Sequence, residues 1–164
     1  MTGTYRGGML VASTTPMDSL EIIVREIDSI ERNLNRRRFL QSVVFVSLGS
    51  RSSLDVSDRE FLRKVAASLI PPDALKSTGI DVVANIHRLL DQGSAEHRNK
   101  VLRFLSWCRR ISFLYGGDQI ALRSRQSRFV LPQRMGKALS SLCLVAFWGD
   151  ARALNLITLP EEKL

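Results

Sequence analysis

The sequence predicts an all-α fold: a small bundle of about five helices followed by an extended C-terminal tail. Three observations carry this. Apolar residues recur at three- and four-residue steps in five separate stretches, helix start and stop signals bracket those stretches, and no stretch shows a comparable two-residue alternation or hairpin dipeptide. At 164 residues with 45% hydrophobic content, the chain suits one domain over residues 51–164 behind an N-terminal extension of residues 1–50.

Residues 1–14 are rich in Gly, Ser and Thr without periodicity and predict a flexible lead. Thr15, Pro16 and Asp18 then form a helix start, and Leu20, Ile23, Val24, Ile27, Ile30 and Leu34 place one apolar stripe on a helix over 16–34. That helix is expected to dock on the protein's own core or on a partner. Ser57 and Glu60 are spaced as a capping box for a helix over 58–70, which Pro71-Pro72 ends. A third helix over 79–91 opens at Thr78 with Asp81 placed for a capping box, turns Val82, Val83, Ile86, Leu89 and Leu90 inward, and stops at Gly93. Ser94 opens a fourth over 95–114, closed by Gly116-Gly117. A basic loop is expected from Asp118 to Phe129, and Pro132 starts a fifth helix over 132–147 that turns Met135, Ala138, Leu139, Leu142, Cys143 and Ala146 to the core.

The net charge of +8 is unevenly placed. Residues 98–137 hold ten Lys or Arg against Asp118 alone, whereas the segments on either side are near neutral. Such a block suits a solvated helix face, nucleic acid, anionic headgroups or an acidic protein surface. No recognition-helix or stacking-platform motif accompanies it, so a cytosolic nucleic-acid-binding protein stands as the alternative rather than the preferred function.

Enzyme signatures are missing from the sequence: it has no glycine-rich phosphate loop, no G-x-S-x-G elbow and no P-loop. Asp73, Asp81 and Asp91 fall at turns or helix starts, where capping explains them. Tyr115, Asp118 and His87 are the residues a pocket would have to assemble, and their spacing does not require it. Neither His87 nor His97 has a second ligand at metal spacing. Cys108 and Cys143 lie on apolar helix faces and are expected to be buried thiols. No catalytic, cofactor-binding or metal-binding residue is therefore assigned.

Asn35-Arg36-Arg37-Arg38-Phe39-Leu40-Gln41, followed by the apolar run Ser42 to Gly49, has the form of a twin-arginine export signal. Arg36, Arg37, Phe39 and Leu40 would be its recognised residues. The same residues also suit the basic end of a helix followed by a short buried segment. The apolar run falls short of the roughly twenty residues a spanning helix needs, and peripheral membrane association through Phe39 to Leu48 is a further alternative.

Together with that segment, two blocks resemble the gluconate 2-dehydrogenase subunit 3 family. One is Ser68-Leu69-Ile70-Pro71-Pro72-Asp73 with Thr78-Gly79-Ile80-Asp81-Val82-Val83, and the other is Leu144-Val145-Ala146-Phe147-Trp148-Gly149-Asp150-Ala151-Arg152-Ala153-Leu154. The resemblance implies a small non-catalytic subunit without a cofactor of its own. It would carry the export signal for a large FAD-dependent dehydrogenase of the glucose-methanol-choline type, stabilise that flavoprotein, and stay with it and a cytochrome c subunit at the periplasmic face of the inner membrane. The aromatics late in the chain, Trp107, Phe113, Tyr115, Phe129, Phe147 and Trp148, are the residue types that anchor interfaces. Partner contacts are accordingly expected from Phe147, Trp148, Leu154, Leu156, Ile157 and Leu159 of the tail, with Arg123, Arg125 and Arg128 of the basic loop beside them.

Overall fold

A computed structural model of the chain describes residues 16–36, 53–154 and 156. Among these residues the fold is all-α, as expected, with eight α-helices, two 3-10 turns and no strand. The helices are α1 (Pro16–Arg36), α2 (Val56–Leu69), α3 (Pro72–Thr78), α4 (Val82–Gln92), α5 (Ala95–Ile111), α6 (Ile120–Arg125), α7 (Val130–Trp148) and α8 (Ala151–Leu154). The 3-10 turns, Ser112–Tyr115 and Gly117–Gln119, lie between α5 and α6.

The helix α7 is the hub, packing against α1, α2, α4 and α6. Its composition explains this, because Met135, Ala138, Leu139, Leu142, Cys143, Ala146 and Phe147 are buried on more than one side of the helix. The amphipathic α1 docks on the protein's own core: Leu20, Ile23, Val24, Ile27 and Ile30 are all buried and belong to the single apolar cluster that the other helices share. The segment placed by sequence in an extension thus supplies part of the core. Two ion pairs align it from outside, Lys137 Nζ to Glu26 Oε1 at 3.0 Å and Lys100 Nζ to Asp28 Oδ1 at 3.0 Å.

Five of the helices correspond to those expected, and the caps sort themselves out in detail. Ser94 caps α5 by accepting from the His97 amide at 3.2 Å, and the Gly93 amide closes α4 on the Leu89 carbonyl. Other assignments shift. The cap of α2 is Asp55, which accepts from the Asp58 amide at 2.6 Å, and not Ser57. Asp81 is itself the cap of α4, accepting from the Val83 and Ala84 amides at 3.0 Å. Thr78 instead ends α3, a helix absent from the sequence prediction. Pro71-Pro72 does end α2, but Pro72 then occupies the first turn of α3, where its missing N–H costs no hydrogen bond. Gly79 closes α3 at φ +60, a left-handed conformation that a side chain would strain. Asp91 lies in the last turn of α4 and pairs with His87 at 2.8 Å, so it is not a cap.

The largest correction concerns Asp118 to Phe129. This stretch is not a loop throughout: a 3-10 turn leads into α6, which buries Ile120, Ala121 and Ser124. Gly136 makes room for it. A Cβ at Gly136 would lie 2.8 Å from the Ala121 carbonyl oxygen, so only glycine lets the two helices approach this closely. Both cysteines are buried as expected and free. Loss of hydration on burial pushes the Cys143 thiol up to about 12, and the Cys108 thiol is raised by the same cause.

Candidate interaction surfaces

The two sequence blocks singled out above meet at the C-terminal end of α7. Asn85, buried on α4, donates through Nδ2 to the Ala146 carbonyl at 3.0 Å and to Asp150 Oδ2 at 3.0 Å. Asp150 receives the Arg152 guanidinium in a two-pronged pair, at 2.9 Å from Nε to Oδ1 and 2.8 Å from Nη2 to Oδ2. Arg152 Nη1 then donates to the Gly79 carbonyl at 2.9 Å. This network is a latch. It ties the α3–α4 turn to the α7–α8 turn, and each donor in it has an acceptor, the condition for a polar cluster to stabilise. Hydrogen bonds from Arg152, and next from Asn85, hold the Asp150 carboxyl well below its ordinary range. Beside the latch is a hollow of about 370 Å³ lined by Arg88, Leu89, Gln92, Val145 and Gly149.

Because the carboxyl's affinity for protons is lower folded than unfolded, its stabilisation is present above its unfolded value near 3.8 and is lost as pH falls below that. Asp150→Asn should therefore flatten the stability-versus-pH curve on its acid side. Asn85→Ala should cost about 1–3 kcal/mol at neutral pH, the range for breaking a buried hydrogen-bonded group. Chemical denaturation across pH checks both, and an unchanged acid limb in Asp150→Asn would remove the latch from the stability account.

The basic block divides in two. Half of it is turned inward or paired: Arg98 donates to the Leu90 carbonyl, Lys100 pairs with Asp28 and Glu96, Arg109 with Asp58, Arg134 donates to Ser29, and Lys137 pairs with Glu26. Arg110, Arg123, Arg125 and Arg128 are exposed.

The expected partner contacts are also redistributed. Phe147 is 1% exposed and is a core residue, stacked edge-on against Trp148 with ring centroids 5.1 Å apart. It follows Leu139 and Cys143 at four-residue steps on the buried stripe, which withholds it from any partner. Trp148, at 45%, and Leu156, at 42%, are exposed as expected. The tail is not wholly extended, since Ala151–Leu154 forms one helical turn, capped through Asp150 Oδ1 accepting from the Arg152 amide. Ile157 and Leu159 lie outside the described residues, as do Arg37, Phe39 and Leu40, while Arg36 ends α1. Nor is the basic segment beside the tail. Arg125 packs at Gly136, and twelve residues of helix, about 18 Å at 1.5 Å each, separate Gly136 from Trp148. The molecule thus has two candidate surfaces at opposite ends of α7.

Two further hollows lie on the surface of the described residues. One of about 500 Å³ lies between α1 and α7, lined by Ile22, Arg25, Ser29, Val130 and Gln133. The other, about 560 Å³, is lined by Glu60, Lys64, Arg109, Ser112 and Asp118. Asp118 is separated there from His87, which faces Asp91, and Tyr115 packs on the core, so the three residues weighed for a pocket do not assemble. Among the described residues no cluster of His, Cys, Asp or Glu is arranged to hold a metal ion, and no helix is long and apolar enough to cross a membrane. Sequence reasoning missed Asn85 and Gly136. The signals were a polar residue on the inward stripe between Val82 and Leu89, and an isolated glycine inside a strongly apolar helix. Comparison with family models, with curated proteins and with solved structures finds no match to this chain.

Proposed function

We propose that this chain is a non-catalytic accessory subunit. It binds and stabilises a larger FAD-dependent dehydrogenase of the glucose-methanol-choline type and carries that partner's export signal. The flavin belongs to the partner, and the complex resides at the periplasmic face of the inner membrane. The latch is the observation that carries this reading. The two blocks on which the family resemblance rests, far apart in sequence, are joined by hydrogen bonds through Gly79, Asn85, Asp150 and Arg152. Their residues form a braced end, with Trp148 standing out from it, and no acid–base or nucleophilic arrangement. The nucleic-acid alternative loses support because Lys100, Arg109 and Lys137 are each paired with a carboxylate of this chain.

Docking is assigned to Trp148 and Leu156. Truncation after Asp150 would not test this cleanly, because it also removes Arg152 from the latch. Trp148→Ala/Leu156→Ser leaves the latch intact and should weaken capture of a flavin-containing partner, co-expressed with the tagged chain, by about a hundredfold, as expected for an aromatic anchor. Replacing Arg36 and Arg37 together by Lys should abolish export of that partner while leaving the complex formed, because lysine lacks the planar donor fork. A monodisperse chain that co-purifies with no flavoprotein sinks the proposal.

A further inference from the structure

The edge that runs from Phe113 to Val130 combines two kinds of side chain. Phe113 and Leu114 project from the first 3-10 turn, Phe129 and Val130 from the entry to α7, and each is at least 60% exposed. Phe113 and Phe129, at 74%, are among the most open large apolar side chains described. Interleaved with them are Arg110, Arg125 and Arg128, exposed and facing no carboxylate among the described residues. Arg123 ties α6 to the turn that follows Phe113 and Leu114, since its guanidinium lies 2.8 Å from where a Cβ of Gly116 would stand. Gly116 itself has φ +78, the left-handed turn that brings the chain back toward α6. Asp118, the one acidic residue between 98 and 137, is drawn toward α2, where its carbonyl accepts from Ser68 Oγ at 3.2 Å.

We propose that this edge docks on the surface of an anionic lipid bilayer. The arginines meet lipid phosphates, with which a guanidinium pairs in two-pronged fashion. The four apolar side chains enter the boundary between headgroups and acyl chains. Charge complementarity selects an anionic occupant, and shape selects a fluid one. Phe113 and Leu114 stand on a short 3-10 turn and Phe129 at the entry to α7, each more than 60% exposed, so they project from turns rather than lie along one flat helix face. A bilayer accepts such projections without a matching pocket, whereas a folded acidic protein would need one. Leu114 and Val130 have no stacking face to offer nucleic-acid bases, which argues for lipid over nucleic acid.

This inference is independent of the accessory-subunit reading, because the chain alone is tested. The full chain should bind phosphatidylcholine vesicles containing about a third phosphatidylglycerol at least about tenfold more tightly than vesicles of phosphatidylcholine alone, and raised salt should weaken that preference. Phe113→Ser/Phe129→Ser should lower binding by about tenfold with unchanged helical circular dichroism. Arg125→Glu/Arg128→Glu should remove the preference for anionic vesicles. In a Phe129→Trp variant, the emission should move to shorter wavelength when vesicles are added. Equal binding to neutral and anionic vesicles, or full affinity in the double phenylalanine variant, overturns the proposal. Tighter binding to duplex DNA than to vesicles, with both phenylalanines dispensable, overturns it in favour of nucleic acid.

Discussion

Arg109→Leu should lower the stability of the fold by about 3 kcal/mol, the lower end of the range for removing one partner of a buried ion pair. Asp58 is fully buried in the first turn of α2, and Arg109 Nε, in the last turn of α5, lies 3.2 Å from its Oδ1. The local fields favour both charges: a carboxylate suits a helix N-terminus, and a guanidinium suits a C-terminus. Removing the cation leaves a buried carboxylate without that counter-charge and without renewed hydration. The lower end is expected because Arg109 keeps some exposure and the pair is not sealed from water. Asp58→Leu/Arg109→Leu should recover most of the loss, since apolar side chains of similar size replace buried ion pairs at little cost. Denaturant midpoints for the two single variants and the double one close the cycle. A single Arg109→Leu variant as stable as the parent would show that the pair contributes nothing.

Gly136→Val should be destabilising by about 3 kcal/mol, the upper part of the range for overpacking a filled site. On an exposed helix, replacing Gly by Ala gains about 1 kcal/mol from propensity alone. At Gly136 that gain is opposed by contacts with the Ala121 carbonyl oxygen and Arg125 Cγ, each 2.8 Å from the position of a Cβ. One of these is backbone, so relief requires α6 to shift as a unit. The propensity gain cannot offset that for the branched valine side chain, and Gly136→Ala should fall between Val and the parent. Thermal unfolding of the two variants decides the point. A Gly136→Ala variant more stable than the parent by the propensity amount would mean that α6 is not seated against α7.

Signals confined to a few neighbouring residues were legible in the sequence. Ser94 and Gly93 bracket their helices because a cap is satisfied within four residues, and the stripes of α1, α4 and α7 are buried because 3.6-residue periodicity needs no knowledge of the rest of the chain. What depended on distant residues was not legible. Ser57 and Asp55 were both available caps for α2, and the side chain that settles the first turn is Asp58, held by Arg109 from another helix. The segment Ile120–Arg125 is too short and too basic to read as a helix by itself, and it becomes one where Gly136 gives it a seat. Phe147 lay within reach of sequence reasoning, since it continues the stripe of Leu139 and Cys143. Its position beside Trp148 at a helix end outweighed that periodicity. Of the candidate surfaces, the exposed Trp148 and the open arginines followed from composition. Their separation did not, because it depends on where along α7 each neighbour docks.

The hub helix is also made after most of the helices that pack against it. α1, α2 and α4 all precede Val130–Trp148 in the chain and all pack against it. Their apolar stripes therefore leave the ribosome before their principal neighbour exists, and the latch from Gly79 to Arg152 can close only after α8 has followed. Order of synthesis and order of packing run in opposite directions. Until Val130–Trp148 emerges, Ile23, Ile27, Leu62 and Ile86 lack that neighbour, a condition in which chaperones engage exposed apolar surface. Completion of the core therefore waits for α7, however the earlier helices meet one another.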